Sequence, residues 1–167
     1  MEITRASDYA VRVMILLAGL PPGSTVRQSA ISHATDVSEH FLAKVLHRLV
    51  HSGLVRSQRG SGGGFKLAVP PSSVSLLDVV QAIEGPLRLN QCLQEGPACN
   101  RKSWCPAHQV WAEAQAALVN VLGAASMATL AARAPDFSSQ PRPQGRPVLI
   151  SGLRVQKTSA FSQAKVR

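Results

Sequence analysis

Residues 38 to 65, S-E-H-F-L-A-K-V-L-H-R-L-V-H-S-G-L-V-R-S-Q-R-G-S-G-G-G-F, leave this chain few ways to fold. Leu42, Val45, Leu46 and Leu49 recur at helical spacing and form one apolar face. His40, Lys44, His47, Arg48 and His51 fall on the opposite side, which is therefore basic and rich in hydrogen-bonding groups. Ser38 is placed to cap this helix and Gly53 to stop it. Leu54-Val55 then opens a short strand, and the chain returns as a second strand through Phe65. Between them Arg59 stands beside Gly60, Ser61, Gly62, Gly63 and Gly64. A tip nearly free of side chains lets the backbone and one arginine approach a phosphate-lined groove closely.

A basic face alone is usually no more than a solvated one. The order of the pieces says more. A second helix is expected upstream, from about Val26 to Thr35, with Ala30, Ile31 and Ala34 inward, joined by the short turn Asp36-Val37-Ser38. Helix, tight turn, basic helix and basic-tipped hairpin in that order describe a winged helix-turn-helix, a DNA-reading unit. The expected fold class is mainly α with a small β-hairpin wing, an α+β arrangement, plus a long C-terminal dimerisation helix.

The rest of the chain fits around that unit. Thr4 to Leu20 is a helix apolar nearly all round, with Arg12 as its interior charge, so it should be buried on several sides. Asp8 lies near its start, where a carboxylate interacts favourably with the helix end. Pro21-Pro22-Gly23 ends it. Ser75 opens a further apolar helix with Asp78 in its first turn, and Gly85-Pro86 closes it. Leu87 to Trp104 has no periodicity and is expected to be a loop. From Pro106 one helix of roughly 40 Å is expected to run to about Arg133. Trp111, Ala114, Leu118, Val121, Ala125 and Ala128 would form its contact seam with a second copy. The division is thus 1–84 for the DNA-binding domain, 85–105 for the loop, 106–134 for the dimerisation helix and 135–167 for a disordered basic tail.

Charge is informative only where it is placed. Residues 1–134 carry 12 Lys+Arg against 8 Asp+Glu, and residues 135–167 carry 6 against 1, so the tail supplies over half of the net +9. The high pI is therefore weak evidence about the folded part, whereas the basic helix and wing are better evidence. The longest dense apolar run, Val13 to Leu20, falls far short of the ~20 residues a membrane span needs. With no signal-peptide pattern at the start, a soluble, cytoplasmic protein without membrane partners is expected.

The three cysteines all lie between Cys92 and Cys105, an odd number with no complete pairing within one chain. Three thiols on a loop too irregular to build its own core point to a metal centre that orders it. Pro106 suits the first helical position, which makes Cys105 the helix cap and favours its thiolate. With His108, three cysteines also suit a tetrahedral zinc site. No C-x-x-C pair and no catalytic dyad is present, so an enzyme is not expected.

Three further features carry a resemblance: the opening M-E-I-T-R-A-S-D-Y-A-V-R, the S-L-L-D-V-V-Q-A-I-E-G helix, and the cysteine triplet before a helix. Together with S-G-L-V-R-S-Q-R-G-S-G-G-G-F-K-L, they resemble the bacterial winged-helix regulators of the IscR/NsrR (Rrf-two) iron–sulfur family, over residues 1 to about 134. The resemblance implies a homodimer that binds a double-stranded DNA operator, in most cases as a repressor. Operator binding would be controlled by an iron–sulfur cluster responding to nitric oxide, redox or iron status. By position, Ser38, His40, Phe41 and Lys44 would lie near bases or phosphates, with Arg27, Arg48 and Arg56 beside them. Arg59, Gly60, Ser61, Gly62 and Gly63 would enter the minor groove. Cys92, Cys99 and Cys105 would hold the cluster, expected in the four-iron (4Fe-4S) rather than the two-iron (2Fe-2S) form. The fourth ligand would be Asp8 of the other subunit or His108; this sequence carries both, and its opening favours Asp8.

Overall fold

The computed structural model describes residues 3–60, 62–94, 96 and 99–134. The expected tail 135–167 lies outside them. Six helices and one hairpin follow in the order α1 (Arg5–Ala18), α2 (Gln28–Thr35), α3 (Glu39–His51), β1 (Val55–Gln58), β2 (Gly64–Leu67), α4 (Leu76–Glu84), α5 (Pro106–Ala124) and α6 (Met127–Arg133). The mainly helical fold with a two-stranded wing is the one the sequence predicts.

α1 is the hub, packing against α2, α3, α4, α6 and β2. Ala10, Val13 and Met14 on it are wholly excluded from solvent, together with Ile31 of α2, Leu42 and Leu49 of α3, Val79 of α4 and Met127 of α6. A fully buried side chain of this size stabilises by about 1.5–3 kcal/mol, so this one cluster fixes five helices around a common core.

α2 is shorter than the sequence predicts, because Val26 does not join it. Val26 N–H donates to Phe65 O (2.9 Å) and Phe65 N–H to Val26 O (2.8 Å), so the segment before α2 pairs with the wing as an antiparallel bridge. β1 and β2 pair in register Val55↔Leu67 to Gln58↔Gly64. Gly64 sits where Val26 crosses: an added Cβ would fall 2.3 Å from Val26 O, so no larger residue fits.

The largest departure is at the C-terminal helix, which is two helices rather than one. α5 stops at Ala124, about 28 Å from its start. Ala125 is extended, and Ser126 caps α6 by accepting from Thr129 N–H. The break is stabilised in two ways. Ala125 O accepts from Leu76 N–H, and Met127 N–H donates to Val74 O, both at 2.8 Å, while the Met127 side chain is buried in the core. An uninterrupted helix would forgo all three. Ala125 and Ala128 therefore leave the expected seam, and α6 lies back on its own domain.

The start of α1 is tied to the end of α4. Thr4, the N-cap of α1, makes no side-chain cap bond of its own. Instead the Glu84 Oε1 accepts from Ser7 Oγ (2.6 Å), Thr4 Oγ1 (2.5 Å) and Thr4 N–H (3.2 Å). The Ser7 hydroxyl, then the Thr4 hydroxyl, hold the Glu84 carboxyl below its ordinary value near 4.5. A carboxylate depressed by folding contributes stability that is complete above the unfolded value and lost as pH falls through the folded one. Thermal melts of wild type and Glu84→Gln are expected to differ at neutral pH, with the variant less stable, and to converge as pH falls from the ordinary value near 4.5 through the lowered folded one. Parallel curves over the whole acid range would show that the ionised carboxylate contributes nothing.

Candidate nucleic-acid interface and thiol loop

The helix-turn-helix is locked by side-chain bonds around its turn. Asp36 adopts the left-handed conformation (φ 55°) at the end of α2. Ser32 Oγ donates to Val37 O at 2.6 Å, and the Val37 side chain is buried. Gln28 Nε2 donates to Glu39 O at 3.0 Å, tying the first turn of α2 to the first turn of α3. Gln28 and Val37 carry no sequence signature of their own, since a polar residue and a lone valine near a turn look ordinary. Their role emerges only from the pairing of the two helices.

α3 buries Leu42, Val45, Leu46 and Leu49, as its periodicity predicts, and leaves His40, Lys44, His47, Arg48 and His51 exposed. Ser38 is its N-cap, is exposed, and makes no side-chain cap bond. Arg27 caps α2 and is exposed. On the wing, Arg56, Arg59, Gly60 and Gly62 are exposed. Gly63 is half-buried in the tip turn, donating to Gly60 O at 2.9 Å, and its missing Cβ would stand 2.5 Å from Gln58 O. Gly60 has a φ of 106°, open to glycine alone among common residues. Ser61 lies outside the described residues.

Two of the expected groove-facing residues also make contacts within the domain. Phe41 is half-buried and meets the Tyr9 ring of α1 edge-on, with centroids 5.4 Å apart, so it packs α3 on α1. Arg48 donates from Nη1 to Ile83 O at 2.8 Å, in the last turn of α4, where unpaired carbonyls attract a cation.

Among its described residues the loop that follows α4 is irregular, as expected, apart from a 3-10 turn at Gln91–Leu93. Cys92 lies in that turn and is buried, Cys99 is half-buried, and Cys105 is the N-cap of α5 with Pro106 as the first helical residue. All three thiols are free, and Cys105 makes no side-chain cap bond. Leu89 N–H donates to Gln115 Oε1 at 3.0 Å, anchoring the loop to α5. His108 lies one turn into α5 with its Nδ1 buried and without a hydrogen-bond partner. It lines an open groove of about 460 Å³ with Leu93, Lys102 and Gln115. Asp8 is engaged elsewhere: its carboxylate pairs with Arg12 at 2.7 Å, and Arg12 also covers the Tyr9 ring.

The donor types fit an iron–sulfur or zinc centre, since soft thiolates and an imidazole nitrogen ligate both metals. An unpaired buried imidazole nitrogen is the kind of atom that calls for such a partner. Among the described residues, however, no three His, Cys, Asp or Glu side chains converge on one point.

α5 has no buried residue along its 19 positions. Leu118 is half-buried on its own chain, while Ala107, Val110, Ala114, Ala117 and Val121 are all exposed, at spacings of three and four. Of the expected seam on α5, Trp111, Ala114 and Val121 are exposed and Leu118 alone is half-buried on its own chain. No helix among the described residues is long and apolar enough to cross a membrane.

The family model of Rrf2, described as an iron-dependent transcriptional regulator, matches residues 3–133. Among solved structures, CymR (YrzC), the global cysteine regulator of B. subtilis, is 25% identical. The match covers 81% of this chain and 99% of that one, with a TM-score of 0.65. The oxidized form of Staphylococcus aureus CymR is 26% identical over 81% and 99% of the two chains, with a TM-score of 0.64. T. potens IscR, 22% identical over 86% and 94%, shares the fold with a TM-score of 0.65. The family model spans the winged helix, the thiol loop and both C-terminal helices, and the chain belongs to the Rrf2 family of transcriptional regulators, which bind DNA and are not enzymes.

Proposed function

We propose that this chain is a homodimeric repressor whose operator binding is set by an iron–sulfur cluster on the loop between α4 and α5. Cys92, Cys99 and Cys105 would hold the cluster, with His108 rather than Asp8 as the fourth ligand. The observation that carries this reading is the buried, unpartnered Nδ1 of His108, one turn from Cys105. Asp8, by contrast, has its charge balanced by Arg12. When bound, such a cluster supplies a centre reactive toward nitric oxide and oxidants, with four irons the expected form.

The chain's own residues connect that loop to the DNA-reading helix. The Leu89–Gln115 bond ties the loop to α5. Ala125 O and Leu76 N–H then join the end of α5 to the start of α4, and Arg48 joins the end of α4 to α3. Ser38, His40 and Lys44, with Arg59 on the wing, would contact an operator of double-stranded DNA. In a dimer, half-sites about one helical turn apart are read only if the two α3 helices keep their separation.

A second reading has two observations in its favour. No three ligands converge among the described residues, and the CymR structures, one of them that of a global cysteine regulator, match at 25–26% identity. In that reading the three thiols act without iron, or hold zinc, under another signal.

Iron and acid-labile sulfide counts on protein purified under nitrogen separate the readings. Wild type is expected to be brown. Cys99→Ala and His108→Ala should lose most of the iron without lowering the melting temperature of the winged-helix domain, and Asp8→Ala should keep it. Full iron in Cys99→Ala, or a colourless zinc protein, would rule out the assignment.

The dimer would form on the exposed stripe of α5, where Val110 and Val121 are 63% and 68% exposed and alanines allow close approach. Val121→Glu is expected to shift the protein from dimer to monomer in sedimentation. An unchanged dimer would move the interface off this stripe.

A further inference from the structure

Arg48 belongs by charge to the basic face of α3, but its geometry sets it apart. At 3.6 residues per turn, His40, Lys44, His47 and His51 fall within about 60° of one another, and Arg48 lies about 70° from their centre. That places it on the flank facing α4, where its Nη1 donates to Ile83 O at 2.8 Å. Ile83 is itself buried, and the next residue, Glu84, receives the two hydroxyls and the N–H from the start of α1. The positive Arg48 also lowers the Glu84 pKa, as the weakest of several causes. One polar joint therefore links α3, α4 and α1, and Arg48 is the only part of it that α3 contributes among the described residues.

We infer that Arg48 is a positioning residue for operator reading: it sets the rotation of α3 on the domain and contacts no phosphate. The inference rests on the DNA-reading role of α3. A phosphate contact and a strut differ in one measurable way. Each neutralised phosphate adds about 0.9 to the slope of log K against log salt, whereas a strut changes affinity for a fitted site without changing that slope.

The experiment uses the full chain prepared under nitrogen and a duplex selected from random sequence by the wild-type protein, over a salt series. Lys44→Met and Arg59→Met are expected to lower the slope by about 0.9 each. Arg48→Met should leave the slope unchanged and weaken the selected duplex about three- to tenfold, the size of one hydrogen bond from a charged group. Its affinity for an unselected duplex of equal length should not change. Arg48→Gln, which keeps an N–H donor and drops the charge, should recover most of the loss, again with the wild-type slope. If Arg48→Met does not fold, the slope of Arg48→Gln decides alone. A slope lowered by about 0.9 in the Arg48 variants makes this residue a phosphate contact and overturns the inference. So does an equal loss on both duplexes, or no loss at all. A wild type that selects no duplex refutes the DNA-reading role itself, and with it the inference, and is distinguished by the absence of any slope to compare.

Discussion

Burial of α1 on several sides is the constraint on which the other elements depend. A helix with Ala10, Val13, Met14 and Leu17 inside, and Tyr9 and Phe41 crossing its flank, cannot stand without partners around it. The helix-turn-helix, the wing, α4 and α6 are those partners. Because α6 is among them, the chain must break its C-terminal helix to deliver Met127 to the core. That requirement also brings Ala125 onto the start of α4. The same apolar packing that stabilises the domain thus fixes where α5, and the thiol loop before it, can lie.

Polar groups finish what the apolar core leaves undetermined. The core sets which helices touch, but hydrogen bonds at their ends set how they are rotated. Ser32 and Gln28 hold the turn between α2 and α3. Ser75 and Asp78 form a reciprocal capping box at the start of α4. Glu84 caps α1 from outside, and Arg48 closes the other end of α4. α4 is accordingly gripped at both ends, at its start by Ala125 from the end of α5 and in its last turn by Arg48 from α3. Under the proposed function, that one short helix would carry a displacement of α5 to α3.

Much of this was legible in the residues. The apolar face of α3, the glycine stop after it, the basic tip and the Ser75 helix start all follow from local rules of spacing and capping. What was not legible depended on tertiary competition. Val26 fits a helix start by pattern, yet it pairs with Phe65 because the wing offers it two backbone bonds. The run from Pro106 to Arg133 contains no proline after its first residue, so periodicity carries straight through it. The break was nonetheless foreshadowed by Gly123 and by Ser126 three residues before Thr129, a weak cap signal that core burial of Met127 makes decisive. In the site, residue type was readable and engagement was not. Phe41 and Arg48 have the chemistry expected of them, but each also meets a neighbour that only the fold brings near, whereas Asp8 pairs with Arg12 one turn along the same helix. The buried Nδ1 of His108, without a hydrogen-bond partner, is likewise a feature that spacing alone does not reveal.

The central claim is that the state of the thiol loop governs how well α3 and the wing fit an operator. Its most direct test is the affinity of one protein preparation, kept under nitrogen, for its selected duplex before and after removal of bound iron, at one fixed salt concentration. The account predicts at least a roughly tenfold change, about 1.4 kcal/mol, with the dimer intact in both states. Equal affinities in the two states would contradict it.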